Sequence, residues 1–276
     1  MDKIRRNERM VALTRTLTAS PNQIFTLSHF CEQFGTAKST MSEDVDILRD
    51  VLQLYGLGQV DTITGAAGGV RYRPSLPAPD ALSFVQSICR ELEVPSRMLP
   101  GGFLYLSDIL STPHIVRTMG IIIADLFYTA SPDFVLTMET KGIPVALMAA
   151  DALGIPLIIA RRSSKVYEGS AVNINYVTGS AGNIETMSLS RRAVKEGQRA
   201  LIVDDFLKAG GTAKGMEDLM HEFNVSVVGS AFVMATATPK AKLVHGEHSL
   251  MVMNSDGNHP ESLTVRPADW LTKLAR

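Results

Sequence analysis

Two domains of α/β type are expected from this chain: a small N-terminal one of three helices and a hairpin, and a larger C-terminal one with a mostly parallel sheet. Three features point there. Beyond residue 80, apolar runs of strand length alternate with helical patterns, the order that lays parallel strands under covering helices. Ahead of that region, three amphipathic patterns precede two alternating stretches around a glycine-rich turn. In between, Pro74, Pro77 and Pro79 crowd into one short run. Fixed φ angles and missing N–H donors should keep that run out of any helix or central strand. The domains are therefore expected at residues 1–73 and 81–276, joined by a semi-rigid linker over 74–80.

The N-terminal elements follow from spacing. Residues 7–18 place Met10, Leu13 and Leu17 on one helical face, and residues 28–34 turn Phe30, Cys31 and Phe34 inward before Gly35 ends them. A third helix starts near residue 37, with Met41, Val45, Leu48 and Leu52 recurring at helical intervals. Residues 59–64 alternate like a strand, Gly65-Ala66-Ala67-Gly68-Gly69 is the turn, and Val70-Arg71-Tyr72-Arg73 returns. This order resembles a winged helix-turn-helix domain. The resemblance implies DNA binding, with the third helix in a major groove. Lys38, Ser39, Thr40 and Ser42 stand at its N-terminal end, where hydroxyls and an ammonium reach base edges and phosphates. Arg71 and Arg73 on the wing, and Lys3, Arg5, Arg6 and Arg9 at the N-terminus, would grip the backbone. Glu43, Asp44 and Asp46 share the third helix, so protein binding is the competing expectation for this domain. One copy carries few cations, and a symmetric homodimer reading two half-sites of double-stranded operator DNA is expected.

In the C-terminal part, residues 134–138, 157–160, 200–203 and 225–234 read as strands, and residues 144–153 as a helix ended by Gly154. Residues 163–185 read as a mobile loop plus hairpin. Composition narrows the function classes. A hydrophobic share of 45% and a charged share of 20% suit a packed core and not global disorder. A net charge of −1 gives no whole-chain attraction to nucleic acid, so such a partner must be held locally. The two cysteines, Cys31 and Cys89, lie in apolar helical patterns and are expected as free buried thiols in a reducing cytoplasm. The charged start is no signal peptide, and Asp125 cuts short the apolar stretch around Ile121, so no membrane span is expected.

The chemistry concentrates in Ala200-Leu201-Ile202-Val203-Asp204-Asp205-Phe206-Leu207-Lys208-Ala209-Gly210-Gly211-Thr212. An apolar strand should end at the acidic pair. A glycine loop follows, and Thr212 should open a helix with Met216, Leu219, Met220 and Phe223 on one face. Open α/β sheets bind ligands at the carboxyl ends of strands. Amides converging at a helix N-terminus suit a phosphate, and paired carboxylates accept hydrogen bonds from a diol. Together these describe a ribose 5-phosphate site. The run resembles the phosphoribosylpyrophosphate (PRPP) motif of type I phosphoribosyltransferases. That implies a type I phosphoribosyltransferase-like domain. It also implies that Asp204 and Asp205 face the ribose hydroxyls, while Phe206, Lys208, Ala209, Gly210, Gly211 and Thr212 line or wrap the 5-phosphate site. His245 and His248 share a polar stretch at three-residue spacing, but with no further ligand in view no protein metal site is expected.

A winged helix joined to such a domain resembles the bacterial purine operon repressor family along the full length. The matching segments include Lys38 to Asp44, Leu99-Pro100-Gly101-Gly102-Phe103, Glu139 to Pro144, and Ala160-Arg161-Arg162. The resemblance implies a cytoplasmic homodimeric repressor of purine-synthesis genes. PRPP, carried with magnesium, would be its inducer and would lower operator affinity. No obligatory cofactor and no catalytic residue are implied. Thr140, Lys141 and Gly142 would form a pyrophosphate loop, and Phe103 stands where the family often has tyrosine. Arg161, Arg162 and Lys165 could meet effector phosphates or stay solvated. The rival expectations are an active purine or xanthine phosphoribosyltransferase with an accessory domain, and a PRPP-binding scaffold that grips protein.

Overall fold

The computed structural model describes residues 4–65, 68–99, 103–163, 169–178, 182–255 and 259–275. Lys3, Ala66, Ala67, Gly101, Gly102 and Lys165 lie outside the described residues. The chain divides into two compact units, Met1–Pro77 with Asp151–Gly154, and Ala78–Ala150 with Ile155–Arg276.

The first unit is a winged helix. It comprises α1 (Arg6–Thr18), α2 (Leu27–Phe34), α3 (Lys38–Leu54), β1 (Gln59–Ile63) and β2 (Gly69–Arg73). Thr26 caps α2 by accepting the amide of His29 at 3.2 Å. Gly35 closes the helix in the left-handed region, and α3 begins three residues later. Phe30, Phe34, Met41, Val45, Leu48, Leu52, Leu13 and Leu17 form its core with Val60 and Val70. Each such side chain gains about 1.5–3 kcal/mol on burial, which outweighs the mixed charge on the start of α3. β1 and β2 are antiparallel, and Phe25 bridges Val70 as a third, minimal strand. Arg49 ties α3 to this wing. Its guanidinium donates to the Val60 carbonyl at 3.1 Å and to the Thr62 hydroxyl at 2.7 Å.

The second unit opens with α4 (Ala78–Leu92), the short strands β3 (Met98–Leu99) and β4 (Phe103–Leu104), α5 (Ser107–Leu110) and α6 (Pro113–Phe127). The proline run was expected to stay outside helices, yet Pro79 sits in the first turn of α4. The first helical N–H groups have no intrahelical acceptor, so proline loses nothing there. Then follow β5 (Phe134–Met138), α7 (Ile143–Leu153), β6 (Leu157–Ala160), the hairpin β7 (Ala171–Val177) and β8 (Ile184–Ser190), β9 (Arg199–Leu207), α8 (Gly211–Glu222), β10 (Ser226–Thr236), β11 (Glu247–Asn254), β12 (Thr264–Pro267) and α9 (Asp269–Leu274).

The main sheet has the order β12-β11-β10-β9-β5-β6. All its pairings are parallel except β11 with β12. The chain leaves β5 toward β6 on one side and β9 toward β10 on the other. With right-handed crossovers this reversal sends α7 and α8 to opposite faces and opens a crevice between the carboxyl ends of β5 and β9. One face of these strands, Phe134, Leu136 and Met138 of β5 with Ala200 and Ile202 of β9, packs against Met216, Leu219 and Met220 of α8. The β7–β8 hairpin adds Val172, Tyr176, Met187 and Leu189 to that core.

Candidate functional site

The acidic pair lies at the crevice. β9 was expected to end at the aspartates, but it runs through them to Leu207, with Asp204 in register beside Phe232 of β10. Ladder hydrogen bonds to a long neighbouring strand extend it past the point where side-chain polarity alone predicts a stop. The helix was expected to open at Thr212 and instead opens at Gly211, because Gly210 takes φ +92° and turns the chain into the helix. Lys208, Ala209, Gly210, Gly211, Thr212 and the strand's Asp204 and Phe206 line an open cavity of about 170 Å³, together with Thr178.

The turn after β5 reaches the same place. Gly142 lies so close to β9 that a Cβ on it would stand 2.0 Å from Asp204 Oδ1 and 2.7 Å from the Thr137 hydroxyl. Only a residue without a side chain lets the 140–142 turn seat against the acid. The Glu139–Thr140 peptide is cis. Lys141 is exposed, and its charge reaches Asp205. Asp204 is buried, and burial raises its pKa well above the ordinary carboxylate range, with the charge of Asp205 adding to the rise. Burial raises Asp205 as well, against the opposing pull of Asp204's hydrogen bond and Lys141. Thr137 Oγ1 is buried beside them with no hydrogen-bond partner. The cavity lining thus presents Asp204, which accepts the Asp205 amide at 2.9 Å, with Asp205 beside it in sequence. It is suited to hydroxyl groups and to a cation carried in with an anionic ligand.

Thr212, in the first turn of α8, lines the cavity, where its hydroxyl was expected to serve the ligand. On the hairpin, Tyr176 donates to Glu185 at 2.9 Å, and burial together with Glu185 pushes its pKa up to about 12. Arg162 meets the same carboxylate at 3.0 Å, and its amide donates to Glu139 at 2.7 Å. Arg161 bridges Ser188 through its backbone. Arg162 is therefore moored to the hairpin. Phe103 stands on β4. Thr137, Tyr176 and Glu185 escaped the sequence reading, since an isolated threonine, tyrosine or glutamate in a strand carries no motif. The alternation of Ala171 to Val177 did mark which of those residues share a face.

His245 and His248 do not share a polar loop. His248 lies on β11, its ring edge-on to Phe127 at 5.6 Å and to Trp270 at 5.8 Å, while His245 is exposed. Among the described residues no group of three His, Cys, Asp or Glu is placed to hold a metal. No helix among them is long and apolar enough to cross a membrane. Cys89 is buried and Cys31 partly so, both as free thiols.

On the winged helix, Lys38, Ser39 and Ser42 are exposed and Thr40 is half-buried. Lys38 lines a cleft of about 300 Å³ with Thr26, Ser28 and the wing residues Thr62, Gly65 and Gly68. Arg5 is exposed. The other cations are partly engaged. Arg6 meets Asp44 at 3.0 Å, Arg71 meets Asp61 at 3.3 Å, and Arg73 donates to the Gln59 side chain. Arg9 is no surface cation. It is buried against the fully buried Asp44 at 2.5 Å.

Comparison with known proteins agrees in outline. The profile described as "Bacterial purine repressor, N-terminal" matches residues 5–74, and the phosphoribosyl transferase domain profile matches residues 106–259. The purine biosynthesis transcriptional repressor PurR of Bacillus subtilis (strain 168) is 40% identical over 269 residues, 98% of this chain and 94% of that protein. The purine biosynthesis transcriptional activator PurR of Lactococcus lactis subsp. lactis is 40% identical over 248 residues, 90% and 92% of the two. A solved adenine phosphoribosyltransferase from Rhodothermus marinus superposes with a TM-score of 0.52 at 20% identity, over 60% of this chain and 97% of that one, a likeness of fold.

Proposed function

The chain belongs to the bacterial purine repressor family, the transcriptional regulators of purine biosynthesis, and on that premise we propose that it represses purine-synthesis genes and releases its operator when PRPP binds the second unit. One observation carries the reading. A glycine loop at a helix N-terminus and the Thr140-Lys141-Gly142 turn converge on one acidic pair, in a chain whose other unit is a winged helix. Amides of residues 209–212 take the 5-phosphate. The Asp204–Asp205 pair takes the ribose hydroxyls. Lys141 and the amides of its turn face the pyrophosphate. Asp204 and Asp205 would stand beside a magnesium ion carried in with the ligand, which would supply positive charge there. The winged helix of each subunit of a homodimer reads one half-site, with Lys38, Ser39, Thr40 and Ser42 toward the bases and Arg5, Arg6, Arg71 and Arg73 toward the backbone. Such a protein works in the cytoplasm, where its DNA and effector are.

The test is operator binding by the full chain to DNA upstream of its purine genes, with and without PRPP and magnesium. PRPP is expected to weaken binding about 5–150-fold, the range of ordinary coupling between two sites. Unchanged affinity overturns the sensor. An Asp204→Ala, Asp205→Ala double variant is expected to stay on the operator at PRPP concentrations that release the wild type. In a parallel incubation with PRPP and each purine base, no nucleotide or pyrophosphate is expected. Turnover would favour a transferase with an accessory domain.

A further inference from the structure

The back of the phosphate loop is held by a segment that no motif marks. After β10 the chain turns through residues 236–244 and passes behind Lys208 and Ala209. Lys242 is half-buried there, and its ammonium donates to the Lys208 carbonyl, to the Thr236 carbonyl at 2.9 Å and to the Thr236 hydroxyl at 3.1 Å. An ammonium has three N–H donors and no acceptor, so all three are used. The Thr236 hydroxyl, accepting from Lys242, passes its own hydrogen to the Thr238 carbonyl at 2.6 Å. One residue on, the Leu243 amide donates to the Ala209 carbonyl at 2.9 Å.

A planar trans peptide sets its N–H opposite its C=O. Pulling the Lys208 carbonyl toward Lys242 therefore turns the Ala209 N–H the other way, and pulling the Ala209 carbonyl toward Leu243 does the same for the Gly210 N–H. The cavity lies on that other side, since Lys208, Ala209 and Gly210 line it while Lys242 and Leu243 do not. The ammonium also puts a positive charge directly behind the loop that lines the cavity. Burial lowers its pKa from the ordinary lysine value, opposed by Glu247.

We propose that Lys242 is the positioning residue of the phosphate loop, aiming the Ala209 and Gly210 amides at the ligand's 5-phosphate and supplying charge from behind. The proposal rests on the effector reading given above. The test measures PRPP binding with magnesium by calorimetry on the full chain, beside amide hydrogen exchange over residues 208–212 without ligand. Lys242→Met is expected to bind PRPP about tenfold or more weakly, as loss of hydrogen bonds from a charged group implies, and to exchange faster at Ala209 and Gly210. Lys242→Arg, which keeps charge and donors, is expected to recover most of the affinity, a rescue that a packing role would not give. Equal PRPP affinity in wild type and Lys242→Met, or no recovery in Lys242→Arg, overturns the positioning role while the effector reading stands. A wild type that binds no PRPP overturns both. Should Lys242→Met lose its cooperative melting transition, Thr236→Val takes its place, removing one acceptor of the ammonium and the hydroxyl's own donation to Thr238, and no charge. Weaker PRPP binding supports the role, and unchanged binding overturns it.

Discussion

Asp204 is the residue where stability and ligand binding pull apart. Its carboxyl ionises in the ordinary range when the chain is unfolded but holds its proton far above that range when folded. Between those two values the folded state binds more protons than the unfolded state, so stability falls as pH climbs through the window. Asp204→Asn should melt higher than wild type at neutral pH, with the gap closing as pH drops to the ordinary carboxylate range. Scanning calorimetry across pH checks this, and an unchanged or lower melting point at neutral pH would contradict it. Gly142 has the opposite character. In Gly142→Ala the added methyl collides with the Asp204 carboxylate, so the 140–142 turn must shift. PRPP affinity should drop about tenfold or more for the loss of one or two charge-assisted contacts, measured by calorimetry on protein that still melts cooperatively.

Helix α3 shows how an element can be read in part. Its buried residues were visible as a helical stripe, and Met41, Val45, Leu48 and Leu52 are all buried. Its acids were not legible. Asp44 looked like a surface charge that would dilute a basic face, yet it is fully buried and holds Arg9 and Arg6. Nothing local distinguishes a surface aspartate from one whose partner lies on another helix. Asp44→Ala leaves Arg9 buried without a counter-charge, a change that costs about 3–5 kcal/mol. A domain of this size should then melt roughly 10–40 °C lower by the usual scaling. The expected trace in calorimetry is a separate early transition with loss of operator binding. A single transition at the wild-type temperature would show the pair to be dispensable. β11 was missed for a related reason. Glu247 and His248 interrupt its apolar pattern, and it becomes a strand because β10 and β12 offer it hydrogen bonds on both sides.

Between the two units, the proposed function requires that occupancy of one alter the grip of the other. The expected signature is reciprocal. If PRPP weakens operator binding by a given factor, operator DNA must weaken PRPP binding by the same factor, since coupling is a property of the cycle and not of either site. Calorimetric titration of PRPP into protein with and without operator measures this. Equal PRPP affinities in the two states would mean that the phosphoribosyltransferase-like unit does not govern the winged helix. Because DNA contacts release counterions, operator affinity should also fall steeply with salt, roughly 0.9 log units per log unit of salt for each phosphate contacted.

Local order was enough for the winged helix, most of the parallel strands and the glycine turn into α8, because hydrophobic period and glycine placement are properties of neighbouring residues. Packing decided the rest. That Gly142 presses on Asp204, that Arg162 meets Glu185, that Arg9 is spent on Asp44 and that Lys242 stands behind Lys208 all depend on contacts between segments far apart in the chain. A charge or hydroxyl takes its role from the partner that burial leaves it. That partner is chosen only when strands and helices close on one another.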